Sequence, residues 1–104
     1  MHRFTDQTWE AGVLGSPRPV AVVFWAAWCV PSRAAVEMVE KISREGLGSL
    51  ELGALNVDDN PVTTERYGIQ GLPTLLIFQG GQAADRRVGL LSREDLSRWL
   101  ERHA

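Results

Sequence analysis

A chain of 104 residues, 44% hydrophobic and 23% charged, has room for one hydrophobic core, and a net charge of -2 argues against nucleic acid or an anionic membrane as partner. A single sulfhydryl, Cys29, excludes an internal disulfide and any cysteine-built metal site. No apolar run approaches a membrane span and the first residues lack a signal peptide's basic and apolar regions, so one domain over 1–104 in a reducing, cytoplasmic setting is expected.

Taken in order, Thr5 suits a helix N-cap, with Phe4 before it placed to staple onto Trp9, and a short helix over 6–13 is predicted. The apolar stretch within 18–26 reads as a strand buried on both faces. Pro31 then suits the first turn of a helix over 31–42, with Ala34, Ala35, Met38, Val39 and Ile42 facing inward and Gly46 and Gly48 closing it. Its wet face carries Glu37 and Lys41, and Glu40 and Arg44, each pair four residues apart and favourable in order. A strand over 50–57 follows, and Asn60 and Pro61 open a short helix that ends at Tyr67-Gly68. Strand and helix thus alternate, which argues for a parallel sheet covered by helices. Thr74 to Gln79 is a strand, Gly80-Gly81 a hairpin turn, and 86–88 the strand returning from it. Ser92 caps the last helix, Leu91 and Leu96 staple it, and Leu96, Trp99 and Leu100 form its buried stripe.

The chemistry concentrates in Phe24-Trp25-Ala26-Ala27-Trp28-Cys29-Val30-Pro31-Ser32-Arg33, where a strand hands over to a helix. A sulfhydryl at a helix N-terminus faces unpaired backbone N–H groups, which favour thiolate over thiol. An inert buried cysteine is the bland alternative, and the flanking Trp28 and Pro31 weigh against it by placing Cys29 in a turn outside the apolar run. Trp9 and Trp99 fall in helical stripes and read as core. His2 and His103 stand at the chain ends and read as solvated. Asp58, Asp59 and Asn60 lack the glycine and later glutamate of a calcium loop, so they read as a helix start and no metal site is expected.

Trp28-Cys29-Val30-Pro31-Ser32 resembles the thioredoxin active site, Trp-Cys-Gly-Pro-Cys, with Val30 in place of the glycine and Ser32 in place of the second cysteine. Asn56-Val57-Asp58, Tyr67-Gly68-Ile69, Gly71-Leu72-Pro73-Thr74 and Val88-Gly89 follow in the thioredoxin order, so the resemblance spans nearly the whole chain. It implies an α/β thioredoxin fold, a central mixed sheet of four or five strands flanked by helices. It also implies thiol–disulfide exchange without a cofactor, with Cys29 as nucleophile, Pro73 as a cis-proline opposite it, and Trp28, Val30, Pro31, Gly71, Leu72, Val88, Gly89 and Leu90 around the substrate groove. Protein disulfides are the implied substrates, with glutathione or a thioredoxin reductase as further partners, no nucleic acid or membrane, and a monomeric state.

Ser32 alters that scheme. A hydroxyl forms no disulfide, so a mixed disulfide at Cys29 needs a second thiol from the target or from a small molecule such as glutathione. The Ser32 O–H is expected to donate to the Cys29 thiolate instead. Thioredoxins also resemble one another in a buried aspartate six residues before the nucleophile, paired with a lysine on the next strand; here Val23 and Ala54 stand at those positions. A carboxylate that helps a second cysteine has no use where that cysteine is missing, which favours a natural single-cysteine protein over an introduced serine. A redox-silent binding or chaperone-like module that keeps the groove is the alternative function.

Overall fold

The computed structural model describes residues 1–104. The elements run β1 (His2–Arg3), a π-helical turn (Glu10–Leu14), β2 (Val20–Trp25), α1 (Val30–Glu45), β3 (Glu51–Asn56), α2 (Pro61–Arg66), β4 (Thr74–Gln79), β5 (Gln82–Val88) and α3 (Arg93–Glu101). They build a five-stranded mixed sheet in the order β1-β3-β2-β4-β5, in which β3 pairs parallel with β1 and β2, while β4 pairs antiparallel with β2 and β5. The α/β architecture is the one the resemblance implies. No helix is long and apolar enough to cross a membrane.

The apolar runs of β2 and β4 occupy the middle of the sheet because both of their faces are covered. Alternate side chains go to opposite cores. Ala21, Val23, Leu52, Ala54, Leu75 and Ile77 pack against α1 and α3, while Val20, Val22, Phe24, Leu55, Leu76 and Phe78 pack against Phe4, Trp9 and Val13. Burying each large side chain of this kind contributes about 1.5–3 kcal/mol. Trp9 and Trp99 both belong to the core, as their stripes predict.

Several local expectations change in three dimensions. β1 goes unpredicted because two residues carry no periodicity; the Phe4 N–H continues its pairing by donating to the Ala54 carbonyl at 2.9 Å. Thr5 does cap the following turn, its hydroxyl accepting from the Thr8 N–H at 3.2 Å while Thr8 Oγ1 accepts from the Thr5 N–H at 2.9 Å. The predicted helix over 6–13 is a set of turns with a widened last turn, where the Gly15 N–H reaches the Glu10 carbonyl five residues back, at 2.7 Å.

α1 is longer than predicted at both ends and stops at Gly46. Its buried stripe is Ser32, Ala35, Val36, Val39 and Ile42, with Ala34 and Met38 only half-buried, so the helix is turned relative to the predicted face and brings Ser32 inward. Neither predicted pair on its wet face closes, and Glu40 meets Arg3 of β1 at 2.8 Å instead. β5 spans seven residues rather than three. Its polar sequence hides it, and the ladder with β4 beyond the Gly80-Gly81 turn makes it a strand; both glycines take positive φ, 58° and 80°, as that hairpin requires.

α3 follows its reading closely: the Asp95 N–H donates to Ser92 Oγ at 3.1 Å, and Leu91 and Leu96 pack in the same core. His103 is not a solvated terminus. Its side chain is 18% exposed, its Nε2 is 3.0 Å from Asp85 Oδ2, and its ring meets the Trp99 indole edge-on. His2 is exposed, as read, although it stacks on Phe4 and lies 3.7 Å from Glu51.

Candidate active site

β2 ends at Trp25 and α1 begins at Val30, so Ala26 to Cys29 make the whole turn between sheet and helix. Cys29 is the residue before the helix, in extended conformation and partly exposed. Its N–H donates to the Ala26 carbonyl at 3.1 Å, and its own carbonyl accepts from the Arg33 N–H at 3.0 Å. Arg33 adds a second tie, its guanidinium donating to the Ala27 carbonyl at 2.7 Å. The sulfur lies 3.9 Å from the Leu72 carbonyl, on the far side of the site, and the Leu72–Pro73 peptide bond is cis.

Ser32 is fully buried under this turn, and its hydroxyl bonds to backbone groups. The Oγ lies 2.8 Å from the Cys29 carbonyl and 3.1 Å from the Ala26 carbonyl, and it accepts from the Ala26 N–H at 3.1 Å. The expectation that its O–H serves the Cys29 thiolate is therefore corrected: serine in the first turn of a helix has backbone partners within reach, and these take it. Ser32 braces the turn that presents Cys29.

The floor beneath is apolar. Val23 and Ala54 are direct register partners on β2 and β3, and each is about 1% exposed. The two positions where a carboxylate and an amine would face one another are adjacent in space, and both are hydrocarbon. This spares the cost of an unpaired buried charge, several kcal/mol per ion.

Of the residues expected around the groove, Trp28, Val30, Val88 and Leu90 are all exposed, with Trp28 at 70%. Gly71 lies under Val88, where a Cβ would come within 3.0 Å of Val88 Cγ1, and the Gly89 N–H donates to the Pro73 carbonyl at 2.8 Å. Pro31 is exposed on the first turn of α1, and Leu72 is half-buried. The structure brings Cys29 and Leu72 together, ties Gly89 to Pro73, and sets Val88 over Gly71.

Sequence reasoning missed the support of Trp28. Its Nε1–H donates to Asp58 Oδ2 at 2.9 Å, across thirty residues. Asn60 is the N-cap residue of α2, as read, but the capping bonds come from elsewhere. Asn60 makes no side-chain bond to α2, and the Asp6 carboxylate accepts from the Val62 and Thr63 N–H groups at 3.2 and 2.9 Å. No local pattern signals a cap delivered from more than fifty residues away. Burial raises the Asp6 carboxyl, but the bonds from Thr63 and Val62 prevail and hold it below the ordinary carboxylate value. No group of histidine, cysteine or acidic side chains is arranged to hold a metal ion.

A sheet-to-helix turn that presents one sulfhydryl across from a cis-proline belongs to the class of thioredoxin-fold proteins. The model of the family described as Thioredoxin matches residues 1–102. Thioredoxin 1 of Nostoc sp. is 42% identical over 99 residues, 95% of this chain and 92% of that protein. The thioredoxin of Streptomyces clavuligerus is 44% identical over 94 residues, 90% and 87% of the two chains. The chloroplastic thioredoxin M4 of Arabidopsis thaliana is 39% identical over 98 residues, 94% of this chain and 51% of that one. The chain belongs to the thioredoxin family, a family of thiol–disulfide oxidoreductases.

Proposed function

We propose that this protein performs thiol–disulfide exchange with Cys29 as its sole nucleophile and stops at the mixed disulfide. The Cys29 thiolate attacks one sulfur of a target disulfide, a Cys29–target S–S bond forms, the target's own S–S bond breaks, and the departing sulfur leaves as thiolate. Release requires a second thiolate, from the target or from a small thiol such as glutathione, to attack the mixed disulfide and return Cys29. The observation that carries this reading is the placement of the sulfur: partly exposed before α1 and 3.9 Å from the Leu72 carbonyl. Trp28, Val30, Pro31, Gly71, Leu72, Pro73, Val88, Gly89 and Leu90 form the groove that takes an extended segment of a protein disulfide. The working setting is a monomer in a compartment that supplies a reducing thiol, such as the cytoplasm, where a thioredoxin reductase has no dithiol of this chain to restore.

Incubation with glutathione disulfide, followed by intact-mass measurement, tests the reading. A single glutathione adduct on Cys29 that free glutathione removes is the expected result. In Ser32→Cys a transient adduct should resolve without added thiol into an internal disulfide. Absence of any adduct from glutathione disulfide and from a peptide disulfide would instead make the protein a redox-silent module.

A further inference from the structure

Asp6 sits in the turn that follows β1, outside the groove, and it has no cationic partner among the ion pairs of the molecule. All of its polar contacts run to one place. Its N–H donates to Asn60 Oδ1 at 2.9 Å, and its carboxylate takes the Val62 and Thr63 N–H groups. Segments more than fifty residues apart are thereby locked in both directions.

Asn60 is buried, and its other polar atom points back along the chain: Nδ2 donates to the Asn56 carbonyl at 3.0 Å. Asn56 closes the same turn from its other end, its Oδ1 accepting from the Asp58 N–H at 2.9 Å. Residues 56–60 are therefore held by side chains at both ends, and of the two exposed residues within them, Asp58 and Asp59, it is Asp58 whose carboxylate accepts from the Trp28 indole. That bond is the one polar anchor of an aromatic side chain otherwise open to solvent, in the residue before Cys29. Each link is short, and several share a backbone turn, so displacement at one end reaches the other.

We infer that Asp6 is a positioning residue for the substrate groove, acting through Asn60 and the 56–60 turn to hold Asp58 where it fixes the Trp28 indole beside Cys29. A cap that merely stabilises α2 would affect every reaction of Cys29 alike. A positioning role affects partners that lie along Trp28 more than partners that need only the sulfur. The inference rests on the exchange reaction proposed above for its kinetic test and is independent of it for its spectroscopic one.

Two probes with the same leaving thiol separate these cases: glutathione disulfide, and an extended peptide joined to glutathione through one cysteine. With each, adduct formation on Cys29 is followed by mass in the wild type, Asp6→Ala, Asp58→Ala and the double variant. Asp6→Ala should lower the peptide rate about threefold to tenfold more than the glutathione-disulfide rate, the worth of one net hydrogen bond. The double variant should react with the peptide no more slowly than the slower single variant. By NMR, the Trp28 Nε1–H resonance should move in Asp6→Ala in the same direction as in Asp58→Ala. Equal loss with both probes, multiplying losses in the double variant, or an unmoved Trp28 resonance would overturn the inference. If Asp6→Ala does not fold, Asp6→Asn, which leaves one of the two α2 N–H groups without its acceptor, decides on the same rate ratio and resonance. A wild type that forms no adduct with either probe refutes the exchange reaction, and the resonance still decides the role of Asp6.

Discussion

Two corners of the molecule treat charge in opposite ways. Near Cys29, Val23 and Ala54 face one another as hydrocarbon, and Ser32 and Arg33 bond to the backbone of the turn. At the β5–α3 corner, one carboxylate, Asp85, collects the Trp99 Nε1–H at 2.7 Å, His103 at 3.0 Å, the Arg86 N–H at 2.8 Å and Arg87 at 3.1 Å. Arg87 in turn lies over the Trp99 ring. Burial raises the Asp85 carboxyl, but the bonds from Trp99 and His103 prevail, with help from Arg86 and Arg87, and bring it from 3.8 down to about 2. The acid that relatives of this fold place under their nucleophile has no counterpart here. The turn at Cys29 is shaped by geometry, while the most strongly depressed carboxyl of the molecule lies at the far edge of the sheet.

The strongest way to break the contrast is to put a charge where there is none. Val23→Asp should cost about 3–5 kcal/mol in urea unfolding at neutral pH, the penalty of a buried charge without a partner. Adding Ala54→Lys, its register partner, should recover a substantial part. A Val23→Asp protein as stable as wild type would show that the floor is not dry.

Ser32→Ala tests the other half of the claim, that the hydroxyl serves the turn and not the sulfur. It leaves the Ala26 N–H without its acceptor, so a loss of about 1–3 kcal/mol is expected. Adduct formation with glutathione disulfide should nevertheless persist. Unchanged stability with a large fall in rate would reverse the assignment.

The smallest effect belongs to the distal corner. Because the Asp85 carboxyl is depressed on folding, its contribution is fully present above pH 3.8 and is lost as pH falls through about 2. After solvent screening it amounts to about 1–2 kcal/mol. Asp85→Asn should flatten the stability profile across that interval, and Trp99→Phe, which removes the indole donor, should move the midpoint upward. A profile identical to wild type in Asp85→Asn would place the acid response elsewhere.

What was legible in the chain was what neighbours in sequence decide. The apolar runs of β2 and β4, the Ser92 cap, the Gly80-Gly81 turn and the cysteine before a helix all follow from local pattern, and the motif order around Pro73 carried the fold. What stayed hidden depends on distant partners. β1 exists only because β3 is beside it, and β5 is polar enough that only its last three residues read as strand until β4 pairs with it. Ser32 was identified as the departure from pattern, yet its hydroxyl's partners depend on how the Ala26–Cys29 turn folds back over α1. His103 looked solvated because Asp85 lies eighteen residues away.

The Phe4 ring edge lies where a side chain on Gly53 would project, so that a Cβ at position 53 would clash with Phe4 Cε2 and Cδ2. This makes the two positions a pair in the history of the chain: a larger residue at 53 is acceptable only after the ring at 4 has been given up. Phe4 also leads directly into Thr5 and Asp6, so that exchange would disturb the segment that caps α2.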